Sequence, residues 1–224
     1  MDELNALQEI ADPEKAAQMA AYHKAPRAYL GIANPQIDIL VAEWRAARDV
    51  AGRVMLARAL WDSDIHEARI AAAKLLTQAR IRPDDGAWAL IASWVPGFDG
   101  WAVADHAMIA GQKRLIADPV RLDQVESWLD HPNMWARRAA LVGTLPWAKM
   151  THPKPADLDR RERILGWASR LTAESDWFIQ KAVAWWLRDL SKRDAPRVQA
   201  FLAKHGARMK PFARREAGRL LQDL

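Results

Sequence analysis

Apolar residues recur along this chain at spacings of three and four, and no stretch shows sustained alternation of β-branched and polar residues. That period is helical, because residues three or four apart share one face of an α-helix. Asp12-Pro13-Glu14 reads as a helix start, an N-cap followed by Pro at the first helical position, and Tyr22-His23-Lys24-Ala25-Pro26 closes it. Gly31-Ile32-Ala33-Asn34-Pro35 opens the next helix, which carries Ile39, Leu40, Ala42 and Trp44. The pattern predicts further helices over roughly 50–61, 64–80, 84–94, 100–113, 119–130, 133–148, 157–173, 176–191, 195–204 and 209–222, about twelve in all. No linker rich in Gly, Ser or Pro separates them, so the expected organisation is one all-α domain over residues 1–224.

One helix start breaks the amphipathic pattern. Pro96-Gly97 ends the preceding helix, and Asp99 is the expected N-cap of the one that follows. Trp101 and Asp105 are four apart, so ring and carboxylate lie one turn above each other on one face. Val103, Ala107 and Ala110 form a small apolar face suited to packing. An indole beside an acid at an exposed helix start suits a cation, or a sugar carbon becoming one, better than it suits a core.

The chain also echoes itself. Asp64 to Ala72, Asn133 to Leu141 and Asp176 to Ala184 each begin with an Asp or Asn expected to cap a helix. Each places a basic residue (Arg69, Arg138, Lys181) five positions later, followed by small residues. Separations of 69 and 43 residues fit repeat units of about 40, two helices each, the period of HEAT-type repeats. Such pairs stack into a curved solenoid, and the recurring basic residue would line its concave face. The alternative is that it only bonds the neighbouring repeat.

Composition narrows the partners. The 224 residues include 33 Lys and Arg against 28 Asp and Glu, a net charge of +5, with a pI near 9.7. A basic balance of that size is compatible with nucleic acid. Lys204, His205, Arg208, Lys210, Arg214, Arg215 and Arg219 crowd into sixteen residues near the end. With no Cys a disulfide framework is ruled out, and the expected location is a reducing cytoplasm. No signal-peptide pattern or apolar run long enough to span a bilayer is visible. His23, His66, His131, His152 and His205 show no metal-ligand spacing, and there is no Gly-rich phosphate loop, so neither a metal nor a nucleotide cofactor is expected. Twelve Trp against four Phe and two Tyr is the sharper oddity. Most must be core; the exceptions are those that share a helical face with charge.

Three segments together resemble the AlkD-like DNA glycosylases, the HEAT-like DNA alkylation repair proteins. They are Trp101 and Asp105; Trp135 and Arg138 in Met-Trp-Ala-Arg-Arg-Ala-Ala; and Phe178-Ile179-Gln180-Lys181-Ala182 followed by Trp185. Leu30-Gly31-Ile32 and Arg215-Glu216-Ala217 are weaker echoes, and the order is kept along nearly the whole chain. The resemblance implies stacked helical pairs with a basic concave cleft for duplex DNA. It also implies excision of cationic alkylpurines such as 3-methyladenine and 7-methylguanine, without base flipping, metal or cofactor. It makes Asp105, Trp101 and Trp185 the catalytic trio and Arg138 an arginine at the cleft. Lys181, Arg188, Arg137, Arg214 and Arg215 are further candidates for DNA phosphate, and the chain is expected to act as a monomer. Many members of that family carry a second acid directly after the motif Trp, where this chain has Ala102. His106, next to Asp105, is expected to face solvent. The competing readings are a non-catalytic HEAT-like protein that binds branched or distorted DNA, and a HEAT scaffold for a protein partner.

Overall fold

The computed structural model describes residues 1–221, and helix dominates them; the one trace of β-structure among these residues is an isolated parallel bridge between Ala28 and Ile65. The chain divides into two compact units, Met1–Asp118 and Pro119–Leu224.

The first unit contains α1 (Asp2–Glu9), α2 (Pro13–His23), α3 (Asn34–Ala46), α4 (Val50–Asp62), α5 (His66–Leu75), α6 (Asp85–Trp94) and α7 (Trp101–Ala117). Helix α5 lies at its centre, packed by α3, α4 and α7. Ala68, Ala71, Ala72 and Ala73 are fully buried there, and such short side chains let neighbouring helices approach closely. Helix α1 has no counterpart among the predicted helices. It buries only Leu7, and one apolar anchor gives no periodic signal.

Asp12 caps α2 as expected, its carboxylate accepting from the Lys15 N–H at 3.1 Å with Pro13 at the first position. Asp64 does not cap α5. It adopts a left-handed φ of 53°, Ile65 takes the cap position, and the Asp64 carboxylate turns to Arg69 at 3.0 Å. Gly31, in the turn before α3, also has a left-handed φ, of 76°. A Cβ there would come within 2.2 Å of the Asp12 carbonyl oxygen and 2.5 Å of the Ala16 nitrogen, both backbone atoms that cannot yield cheaply. Gly31→Ala is therefore expected to destabilise the protein by about 2–3 kcal/mol, from the left-handed backbone and the overlap together. Thermal melts of the two proteins check this, and an unchanged midpoint would refute it.

The second unit contains α8 (Leu122–Ser127), α9 (Met134–Gly143), α10 (Leu145–Lys149), α11 (Pro155–Leu171), α12 (Trp177–Ser191), α13 (Ala195–His205) and α14 (Pro211–Gly218). Single 3₁₀ turns at Pro119–Arg121 and Trp128–Asp130 flank α8 and fill out the helix expected over 119–130. The single helix expected over 133–148 is instead α9 and α10. Pro146, which has no N–H to donate, stands at the second position of α10, and the Thr144 hydroxyl donates back to the carbonyls of Ala140 and Leu141. The helix expected over 209–222 is α14, which is shorter, and residue 222 lies outside the described residues.

Helix α12 is the hub of this unit, with α9, α10, α11, α13 and α14 against it. Ile179, Val183, Trp186, Leu187 and Leu190 on α12 are fully buried. Each such side chain contributes about 1.5–3 kcal/mol through removal from water. Gln180 is also fully buried and fully used: its amide donates to the carbonyls of Thr172 and Glu174, and its Oε1 accepts from the Lys210 N–H at 2.9 Å. Most Trp are core, as the composition implied. Trp101, Trp135, Trp177 and Trp185 are the exceptions, and all four lie in the segments singled out above.

Candidate active site

The start of α7 is built from below. Trp61 stacks on Trp94 with centroids 4.0 Å apart and planes at 5°, and Phe98 packs on Trp61 at 6.1 Å. This aromatic layer holds the Val95–Gly97 turn, and Gly100 then takes the cap position in extended backbone, so α7 begins at Trp101. Asp99 does not cap it. Its carboxylate pairs with the guanidinium of Arg27, whose side chain is only 1% exposed and also reaches Asp64 at 3.8 Å. A buried guanidinium is a stronger claim on a carboxylate than a helix N–H, because leaving it unpaired costs more.

Ala102, Val103, Ala104, Ala107, Met108 and Ala110 are buried, so α7 presses one broad face into the unit. Trp101 and Asp105 are both half-buried, one turn apart on the remaining face. The indole of Trp101 is not loose. The Tyr22 ring meets it edge-on at 6.2 Å and 89°, and the His23 ring lies 5.4 Å away at 47°.

Behind Trp101 stands a group of rings whose connection the sequence did not reveal. His23 lies 4.6 Å from His66, Tyr29 lies 4.7 Å from His66, and His23 stacks on Tyr29 at 6.1 Å and 3°. His66 is 2% exposed; burial, with further help from His23, Arg27 and His106, pushes its pKa down to about 3. Burial also holds His23 below the ordinary 6.5 against a smaller pull from Glu67. His106 does not face solvent as expected. Its Nδ1 lies 2.7 Å from the Ala102 carbonyl oxygen, and burial lowers its pKa. It lines a cavity of about 330 Å³ with Asp38, Arg45, Lys74 and Thr77.

In the second unit Trp185 is anchored from its N–H side. Nε1 donates to Asp189 at 2.9 Å, and Asp189, 5% exposed, also pairs with Lys192 at 3.1 Å and Lys149 at 3.5 Å. Lys149 lies over the Trp185 ring at 5.7 Å. Asp189 was missed, although Trp185 and Asp189 repeat the spacing of Trp101 and Asp105 and that signal was legible.

The predicted phosphate-binding cations separate into two groups. Three are engaged internally. Arg137 holds Glu174 through Nε and Nη2 at 2.9 Å and donates to the carbonyls of His131 and Pro132. Arg138 is 6% exposed and donates to the Phe178 carbonyl at 2.8 Å. Arg188 pairs with Glu216 across α12 and α14. Each of these three finds an acceptor on a neighbouring element, which for Arg138 is the alternative reading of the recurring basic residue. The other three face solvent. Lys181 rides over the exposed ring of Trp177 at 5.1 Å, and Arg214 and Arg215 line a cavity of about 600 Å³ with Gly206, Met209 and Pro211. Of the echoing basic residues, Arg69 covers the Trp61 ring at 4.9 Å and donates to the Trp61 carbonyl. Arg69, Arg138 and Lys181 thus end in three different environments.

The sequence pattern of the DNA alkylation repair enzyme family matches residues 4–221. The chain belongs to that family. Three solved structures share its fold. A predicted DNA alkylation repair enzyme from Enterococcus faecalis has a TM-score of 0.79 at 22% identity, covering 96% of this chain and 98% of its own. AlkD2 from Streptococcus mutans has a TM-score of 0.64 at 17% identity, with coverage of 94% and 99%. The smu.31 protein of Streptococcus mutans UA159 has a TM-score of 0.63 at 18% identity, with coverage of 84% and 92%. No curated protein matches the chain.

Membership of the DNA alkylation repair family gives Ala102 a physical context. It is 6% exposed and lines a very small cavity with His23, His66, Asp99 and Trp101. An acid at this position would have to enter space already occupied by two imidazoles and the Arg27–Asp99 pair. Among the described residues no three His, Asp or Glu are grouped so as to hold a metal, and no helix is long and apolar enough to cross a membrane.

Proposed function

We propose that this protein is a DNA glycosylase that removes positively charged alkylpurines from duplex DNA by hydrolysing the N-glycosidic bond. The observation that carries this reading is the pair at the start of α7: a ring-braced, half-buried indole one turn from a half-buried carboxylate. An N3- or N7-alkylated purine already carries positive charge, so it departs as a neutral base and needs no general acid. The sugar left behind is oxocarbenium-like. A fixed carboxylate stabilises that charge and aligns or deprotonates the attacking water. An indole face adds about 0.5–2 kcal/mol of cation–π attraction, more as water is excluded. Asp105 is assigned the first role and Trp101 the second. Trp185, fixed by Asp189, keeps the role of an indole against the deoxyribose that the resemblance gives it.

The test is release of 3-methyladenine and 7-methylguanine from methylated duplex DNA. Release above the spontaneous rate supports the reading. Duplex binding without release would instead favour a non-catalytic DNA-binding protein, a reading to which Ala102 in place of a second acid lends some weight.

The division among the cations predicts a salt dependence. Each neutralised phosphate contributes about −0.9 to the slope of log affinity against log salt. Arg214→Ala and Arg215→Ala are each expected to make that slope shallower by about 0.9, as the loss of one phosphate contact requires. Arg137→Ala and Arg188→Ala are expected to leave it unchanged, because their guanidinium groups are held by Glu174 and Glu216. Binding isotherms at several salt concentrations decide between the two groups.

A further inference from the structure

We propose that His23, backed by His66, is a positioning residue for Trp101 that serves only as a neutral imidazole, which makes excision sensitive to acid. The inference rests on the glycosylase reading above and adds a residue and a regulation to it.

The geometry is a chain of rings that passes through the buried His66 to the indole: Tyr29 and His66, His66 and His23, His23 and Trp101, at centroid separations of 4.7, 4.6 and 5.4 Å. His66 is 2% exposed, and its Nδ1 is buried with no hydrogen-bond partner. It is held by stacking, not by a proton acceptor. His23 and Tyr29, on either side of His66, are both half-buried, and His23 is the one in contact with Trp101.

The charged and titratable groups around His23 come from several elements. Glu67 and His66 approach from α5, and Tyr29 and the buried Arg27 from the loop after α2. Asp99 lines the same small cavity from the turn before α7 and is already paired with Arg27. Tyr22 lies on its own helix, 4.9 Å away, and His106 of α7 acts on His66. A charged His23 is favoured by the Trp101 indole and, among the charged groups, by Glu67. Its two oxygens are already taken by the backbone N–H groups of Leu30, Gly31 and Ile32.

A proton on His23 has two consequences. It puts a positive charge against a neutral, unpaired His66. It also brings a cation against the Trp101 ring, and two cations on one indole compete for its π density and repel each other. The neutral form therefore lets Trp101 serve the substrate, and the charged form occupies or repels. The sign follows: excision is intact above the pKa of His23 and is lost as pH falls through it, below the ordinary histidine range because burial lowers that pKa.

The experiment uses the full chain, with excision of 7-methylguanine measured in single turnover across pH and corrected for spontaneous depurination. In parallel, 5-fluorotryptophan-labelled protein is titrated by ¹⁹F NMR, the Trp101 resonance being assigned through Trp101→Phe. In the wild type, excision is expected to fall about tenfold per pH unit once His23 charges, and the Trp101 resonance is expected to titrate with it. In His23→Gln and in His23→Phe, the wild-type acid limb and the Trp101 step that accompanies it are both expected to disappear from that pH range, leaving only the loss that any essential carboxylate imposes at lower pH; the shape of the profile is read, not its height. Two variants of different polarity guard against one that fails to fold, which a thermal melt reveals. An acid limb that stays at the wild-type position in both folded variants, or a Trp101 resonance that still titrates at that position without His23, overturns the proposal. Absence of excision at every pH would sink the glycosylase reading alone, because the Trp101 resonance still reports whether His23 controls the indole.

Discussion

Asp105→Asn is expected to lower alkylpurine release from duplex DNA at least tenfold, about 1.4 kcal/mol of barrier. The substitution keeps the shape of the side chain and removes its charge, so it separates electrostatic stabilisation from packing. Asp105 is half-buried on a helix whose opposite face is packed by Ala102, Val103, Ala104, Ala107 and Met108, and the rest of α7 has no reason to move. The fall should appear in single-turnover rate more than in DNA affinity, since a carboxylate beside an anionic backbone does not promote binding. A Michaelis constant that changes while the rate does not would mean that Asp105 contacts DNA without taking part in bond cleavage. Wild-type release that Asp105→Asn leaves untouched would preserve the activity and remove this residue from its centre.

The second large effect is expected in stability. Glu67 is fully buried on α5, and its carboxylate accepts from three consecutive backbone N–H groups: Leu30 at 2.9 Å, Gly31 at 2.8 Å and Ile32 at 3.3 Å. This carboxylate docks the 28–32 turn onto α5, together with the His66 N–H donating to the Ala28 carbonyl at 3.0 Å. Glu67→Ala strands three donors, two of them buried and the Leu30 N–H part-buried. Unsatisfied buried groups cost about 1–3 kcal/mol each, and part of that is recovered as the turn relaxes, so a loss of about 3–5 kcal/mol is expected. For a chain of this size that is a fall of about 10 °C or more in melting midpoint. Glu67→Gln keeps an acceptor and should lose less. A loss below about 1 kcal/mol in Glu67→Ala would show that the turn is held by something else. Tyr29 belongs to the same turn, so the substitution should also loosen the ring stack behind Trp101.

The helices were legible because each buries one stripe. The period of three and four in 176–191 marks the face of α12 that buries Ile179, Val183, Trp186, Leu187 and Leu190, and Asp176 caps it through the Phe178 N–H as its position suggested. Helix α1 was not legible, because a single buried Leu7 leaves no period. The helix expected over 133–148 took no account of Pro146, which stands at the second position of α10 and marks the break from α9.

The site was legible only where its residues share a helix. Trp101 and Asp105 are four apart, and helical geometry alone places them on one face. His23, His66 and Tyr29 could not be linked from spacing, because ring contacts between a helix end, a loop and a second helix depend on how those elements dock. The same limit explains Asp99 and Asp64. Both occupy positions from which an Asp caps a helix; Asp99 turns instead to Arg27, brought from elsewhere in the chain, and Asp64 turns to Arg69 on the next helix with Arg27 at 3.8 Å.

The sequence by itself determined an all-helical protein, the positions of most of its helices, the Trp–Asp pair on α7 and membership of the DNA alkylation repair family. These follow from local periodicity and short motifs, which are properties of neighbouring residues. Only the tertiary structure decided which cations are engaged internally and which face solvent, and which imidazoles stand behind Trp101. Pairing a charge or stacking a ring lowers its energy only against a definite partner, and partners such as Arg137 and Glu174, or His23 and His66, meet only when their helices pack.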